Sequence, residues 1–301
     1  MKNKNATILI LGATGMLGNA LLKYLSSNKD FKIFGTARDW EKVITLPKSL
    51  QANIFRISLG IESLAVLEDL LLKIKPDIVI NCIGVIKQSP LSEKRKIAVE
   101  INALLPHLIA ETLTRHHIKL IHISTDCVFS GNKGGYREFD DSDAIDVYGK
   151  TKFLGEIGYD NHLTIRTSII GHEIDSSISL LDWFLVQKDQ VNGYLRAIYS
   201  GVTTLELAKI IEKYFITINN FQGLFHVSSE PISKFDLLSI VNNVYKKNIK
   251  IIPQNQFVID RSLDSKFFQK MTGHRPKSWD EQIEELYQFN LSNVINQEKD
   301  V

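Results

Sequence analysis

Six short, nearly continuous β-branched and apolar runs punctuate the first half of the chain: "TILILG", "KIFGT", "NIFRI", "DIVINC", "KLIHIST" and "LTIRTSII". Such runs predict strands buried on both faces. Between them, apolar residues recur at three- and four-residue spacing, predicting helices over about Leu17–Ser26, Ser63–Ile74 and Glu93–His116. A further helix is expected around Tyr148. The alternation predicts an α/β fold, a doubly wound parallel sheet with helices on both faces.

Past Gly171 the rhythm changes to apolar and aromatic helices, "LLDWFLVQ", "LELAKIIEKYF" and "KFDLLSIVNNVY", with one strand, "GLFHVS", and proline-containing connections. We expect a dinucleotide-binding domain over 1–171 plus roughly 200–228. A smaller interleaved C-terminal substrate domain, or cap, then takes roughly 172–199 and 229–301. The polar tail "SNVINQEKDV" is expected to fray.

In 301 residues, a 44% hydrophobic share is ample for a buried core. The 36 basic and 34 acidic side chains nearly cancel, which argues against a nucleic-acid partner. The start, "MKNKNATILILGATG", reads as a first strand rather than a signal peptide, and no run approaches about 18 uninterrupted apolar residues, so no membrane partner is expected. Cys82 and Cys127 make neither a metal cluster nor a disulfide framework; reduced thiols, a cytoplasmic location and no metal are expected.

"ILILGATGMLGNALLKYL" reads strand, glycine turn, helix, with Gly12, Gly15 and Gly18 at three-residue spacing. Glycine permits close approach of a pyrophosphate, and the helix start beyond offers free N–H donors. The motif in this context predicts a bound dinucleotide. At the end of the second strand Arg38 precedes Asp39. An arginine there suits the 2′-phosphate of NADPH, with NADH still open, and a solvated charge or a stack on adenine as the other uses of Arg38.

Ligands of doubly wound sheets sit beyond the carboxyl ends of the strands, where "LIHI" gives way to Ser124, Thr125 and Asp126. In "VYGKTKFLGE", Tyr148 and Lys152 are four residues apart and share a helix face. Thr125 can donate to a substrate oxygen, Tyr148 can protonate it, and Lys152 can stabilise the phenolate and hold the nicotinamide ribose. The set suits carbonyl reduction with a dihydronicotinamide.

"GATGMLG", "STDCVFSG" and "YGKTKFLGE", in that order, resemble the extended short-chain dehydrogenase/reductase family. More narrowly they resemble its dTDP-4-dehydrorhamnose reductases, which reduce the 4-keto group of a nucleotide-linked deoxysugar. "INALLP", "IRTSIIG" and "DRSLDSKFFQKMTG" extend the resemblance over most of the chain. It implies a Rossmann sheet, Thr125, Tyr148 and Lys152 as the catalytic set, and Gly12, Gly15, Met16, Leu17 and Gly18 as the cofactor loop. It also implies a nucleotide-sugar substrate and a role in cell-surface polysaccharide synthesis. Cys127 stands where such reductases often carry tyrosine, and "NCIGVIKQ" brings Lys87 and Gln88 into the loop after the fourth strand.

Related dehydratases place Asp-Glu after the threonine, whereas here Asp126 precedes Cys127, which disfavours dehydration. Another nucleotide-sugar reductase or epimerase, or a non-catalytic NADP-binding regulatory subunit like that of methionine adenosyltransferase, stays open. A homodimer is compatible with the helical faces. Asn102 and Pro106 suggest a distorted helix in which Asn102 bonds the exposed backbone or supports Lys152 through water. Cys82 and Cys127 read as packing thiols at neighbouring strand ends, Asp126 as an Asx-turn or substrate contact, and His226 as a strand histidine. Arg166 needs a buried partner. Arg196, Arg261 and Lys266 are either diphosphate ligands or solvated charges.

Overall fold

The computed structural model describes residues 5–86 and 94–299. Lys87, Gln88 and Glu93 lie outside the described residues. Chain order runs β1 (Ala6–Leu11), α1 (Met16–Ser26), β2 (Phe31–Ala37), α2 (Trp40–Ile44), α3 (Lys48–Gln51), β3 (Ile54–Arg56), α4 (Leu64–Ile74) and β4 (Ile78–Asn81). Next come α5 (Arg95–Ala98), a π-helical stretch (Val99–Leu104), α6 (Leu105–Arg115), β5 (Lys119–Thr125), α7 (Val147–Leu154), β6 (Leu163–Thr167) and β7 (Ile169–Ile170). The remainder holds α8 (Leu180–Leu185), β8 (Gln190–Tyr194), β9 (Ala197–Tyr199), β10 (Val202–Thr203), α9 (Thr204–Ile210), a second π-helical stretch (Ile211–Ile218) and β11 (Gly223–His226). It closes with β12 (Ile232–Ser233), α10 (Lys234–Val244), β13 (Lys250–Gln254), β14 (Ile259–Asp260), α11 (Lys266–Thr272) and α12 (Trp279–Lys299).

Seven strands form one sheet in the order β11-β6-β5-β4-β1-β2-β3, and each pairing is parallel. The strand order reverses between β1 and β4, which opens a crevice at their carboxyl ends. Ile8, Ile10, Ile33, Ile80 and Leu21 bury one face of the sheet beneath α1, while Leu9, Leu11, Val79, Leu70 and Ile109 bury the other beneath α4 and α6. Burial on both faces is why these strands read as unbroken apolar runs. The fold is the doubly wound Rossmann type expected.

A third cluster joins Leu181, Phe184, Val191, Tyr199, Leu237, Val241 and Trp279. Its small sheets, β12-β9-β14 and β13-β8, come from the part of the chain past Gly171. That region also feeds the first core, for Phe268 of α11 is fully buried there.

Helix α12 runs to Lys299, through the tail expected to fray. From Trp279 to Lys299 it contains neither glycine nor proline, so nothing in the backbone chemistry stops it. The helix around Pro106 carries the distortion expected of it: it runs from Arg95 to Arg115 with the π-helical stretch just before the proline at the start of α6. Among the described residues this is the one run long and apolar enough to cross a membrane, and half of it is buried within the fold.

Candidate active site

The glycine turn after β1 is fixed before any ligand arrives. Gly12 has φ +81°, its N–H donates to Thr36 Oγ1 at 3.2 Å, and Gly15 N–H donates back to the Gly12 carbonyl at 3.1 Å. A side chain on Gly18 would overlap that same carbonyl. Helix α1 then starts at Met16 with no side-chain cap and no acidic residue in its first turn. Its leading N–H groups, on Met16, Leu17 and Gly18, are left for an anion. This cradle fits the pyrophosphate of a nicotinamide dinucleotide.

At the end of β2, Asp39 spends its carboxylate on capping α2, accepting from Glu41 N–H at 3.1 Å. Arg38 beside it is exposed and enters no ion pair among the described residues. The arginine, rather than the aspartate, is the side chain at liberty to meet a ligand.

The carboxyl end of β5 faces α7. Thr125 is buried; its Oγ1 donates to Asp126 Oδ1 and accepts from Cys127 N–H, both at 3.1 Å. The same hydroxyl acts on the phenol of Tyr148 on the facing helix. Burial raises the Tyr148 pKa above its ordinary value, with the charge of Cys127 adding to it and Thr125 opposing it. The phenol therefore holds its proton until a negatively charged oxygen needs it.

Lys152 lies one turn further along α7, 5% exposed, with Nζ donating to the Ile123 carbonyl at 2.7 Å. Burial lowers its pKa to about 8, opposed by Glu156 and Cys82. The ammonium is thus mostly charged at neutral pH and sits on the tyrosine's side of the helix.

Helix α7 reaches this position through two glycines. Asp146 starts it, accepting from Gly149 N–H at 2.8 Å. A side chain on Gly149 would overlap the Cys127 carbonyl, and one on Gly155 would overlap the Asn102 carbonyl. The propensity lost at both positions is the condition for pressing α7 against the catalytic loop and the π-helical stretch.

Asn102 acts on a different backbone from the one expected. Its Oδ1 accepts from Val85 N–H at 2.8 Å and its Nδ2 donates to the Val85 carbonyl at 3.0 Å, clamping the loop after β4 rather than its own helix. Cys82 and Cys127 are both reduced, and burial pushes the Cys82 thiol up to about 12. Arg166 finds its partner in Glu156, with Nε to Oε1 at 2.8 Å and Nη2 to Oε2 at 2.7 Å. His226 bonds the Tyr136 carbonyl through Nδ1 at 3.1 Å, and burial lowers its pKa to about 3, as befits a neutral strand histidine.

Of the three diphosphate candidates, only Arg261 comes near the reacting residues. Its charge acts on buried Asp126, and its Nε donates to the Phe129 carbonyl at 2.8 Å. Arg196 is exposed in the turn between β8 and β9, and Lys266 pairs with Asp264 at 3.5 Å on the surface. A residue the sequence reading passed over is Lys234, on the first turn of α10. Its Nζ stands 4.1 Å from the centre of the Tyr199 ring and is drawn toward Asp126 and Cys127, while burial lowers its pKa to about 8. Its only sequence signal is the capping serine before it.

Residues 6–291 match the family described as RmlD substrate binding domain. The chain is 29% identical over 245 residues to the dTDP-4-dehydrorhamnose reductase of Aggregatibacter actinomycetemcomitans, covering 77% of this chain and 76% of that one. It is 30% identical to the bovine methionine adenosyltransferase 2 subunit beta over 155 residues, half of this chain and 42% of that one. Its fold superimposes on a dTDP-4-dehydrorhamnose reductase from Bacillus anthracis in complex with NADP, with a TM-score of 0.75 at 20% identity, over 94% of this chain and 99% of that one.

Proposed function

The chain belongs to the RmlD substrate binding domain family, and we propose that it is an NADPH-dependent oxidoreductase that reduces the 4-keto group of a nucleotide-linked deoxysugar. The observation that carries this reading is the convergence of Thr125, Tyr148 and Lys152 at the end of β5, in the sheet whose β1 leads into the uncapped start of α1. Gly12, Gly15, Met16, Leu17 and Gly18 hold the pyrophosphate, and Arg38 holds the 2′-phosphate. The hydride is the chemistry that NADPH supplies when bound.

Thr125 Oγ1 turns its hydrogen from Asp126 to the keto oxygen and orients it. Tyr148 gives its proton to that oxygen as negative charge develops there. Lys152 stabilises the resulting phenolate across one helical turn and holds the nicotinamide ribose. Arg261 and Lys234, brought by the C-terminal part of the chain, place positive charge near Asp126. Residues 172–199 and 229–301 then serve as the substrate-binding cap, acting in the cytoplasm, and a homodimer is the proposed assembly.

The test is NADPH oxidation against a panel of nucleotide-linked 4-keto sugars. Turnover with at least one supports the reading. NADPH binding without turnover on any of them favours the regulatory-subunit alternative, to which the methionine adenosyltransferase likeness lends weight.

A further inference from the structure

Three residues at four-residue spacing, two on α7 and one just past it, engage three consecutive residues of β5. Tyr148 meets Thr125, Lys152 donates to the Ile123 carbonyl, and Glu156, just past the helix, accepts from Ser124 Oγ at 2.7 Å. The first two pairs belong to the proposed catalytic set; the third is unassigned. Glu156 is moreover gripped by Arg166 through two parallel bonds of 2.8 and 2.7 Å, in a pair that is about 4% exposed on the arginine and 10% on the carboxylate. A bidentate buried pair fixes a carboxylate far more tightly than a surface bridge does.

We propose that Glu156 is a positioning residue for the reduction: anchored by Arg166 and Ser124, its carboxylate keeps the Lys152 ammonium charged and holds the end of β5 in register with α7. The inference rests on the reductase reading of the site. The groups facing Lys152 among the described residues are few. Glu156, held by the Arg166 guanidinium of β6, approaches from just past α7, Cys82 from the loop after β4, and His122 and the Ile123 carbonyl from β5. Cys82 keeps its proton because burial raises its pKa, and His122 stays neutral because burial lowers its own. Glu156 is the carboxylate of that set, and it opposes the burial that would strip Lys152 of its proton.

The test is Glu156→Gln, which keeps the shape and removes the charge. The alkaline limb of kcat against pH is expected to move down by about one pH unit, so that kcat above pH 8 falls about tenfold while the KM for NADPH changes little. Removing one partner also strands a buried guanidinium, so the double variant Glu156→Gln/Arg166→Met is made alongside. It is expected to recover the melting temperature and keep the shifted limb. The Cε resonance of Lys152 in ¹³C-lysine-labelled protein, followed by NMR, reads the same ionisation without turnover, so it decides this point even if no substrate is found. A limb and a resonance that titrate as in the wild type would overturn the proposal. So would a double variant that fails to fold, which would place the pair in the architecture alone.

Discussion

The carbonyl of Asn102 lies directly against the α-carbon of Gly155, with no room between them for a methyl group. Pro106, four residues beyond Asn102, offers that carbonyl no N–H, and Asn102's side chain reaches away to clamp Val85. One contact therefore joins the end of α7, the π-helical stretch and the loop bordering Lys152.

Gly155→Ala is expected to destabilise the protein by about 1–3 kcal/mol, because neither the carbonyl nor α7 can move without disturbing the other. Calorimetry should show a melting temperature lower by roughly 2–4 °C per kcal/mol. The same substitution at Gly60, which has open space around it, should leave melting nearly unchanged.

Arg38→Ala should weaken NADPH far more than NADH, since only NADPH loses a charge-assisted bond. At about 1.5–3 kcal/mol the loss is on the order of 10- to 100-fold in Kd. Titrating both cofactors checks this, and equal weakening would remove Arg38 from the 2′-phosphate site.

Tyr148→Phe should preserve folding and NADPH affinity while lowering single-turnover reduction by about 100-fold or more. Lys152→Met should harm both, because its ammonium serves the ribose as well as the phenol. A Tyr148→Phe protein as fast as the wild type would sink the mechanism.

Activity and stability should part company on the alkaline side of neutrality. Burial lowers Lys152 and Lys119 to about 8 from an ordinary value near 10.5, so above pH 8 the unfolded chain binds more protons than the folded one. Their contribution to stability then rises with pH, by up to about 1 kcal/mol per unit for each lysine. Cys82, raised by burial from 9, opposes this above pH 9. Between pH 8 and 9, kcat should fall as Lys152 loses its proton while denaturant midpoints hold or rise; parallel declines would contradict the assignment.

The sheet and the glycine turn were legible because their physics is local: parallel strands buried on both faces cannot avoid continuous apolar runs, and a turn before a helix start needs its glycines. Tyr148 and Lys152 were legible through helical spacing. Glu156, four residues further on, was not, for a glutamate at that spacing reads equally as a solvated face; its meaning depends on Arg166 and Ser124 arriving from other strands. The same holds for Asn102, whose partner lies on a loop 17 residues away. Strand β8, "QVNGY", does alternate buried and exposed positions, but asparagine and glycine disguise it. The short strands beyond it are set by tertiary pairing, which no local window contains.

The placement of β11 at the sheet's edge has a consequence for biogenesis. Its residues, Gly223–His226, are made some sixty positions after the β6 residues they pair with, Leu163–Arg166. During synthesis the N-terminal six strands can assemble first, but β6 must wait as a bare edge while the intervening segment is translated. A nascent chain halted in that interval presents unpaired N–H and C=O groups to its neighbours, and that is where crowding on a polysome would exact aggregation.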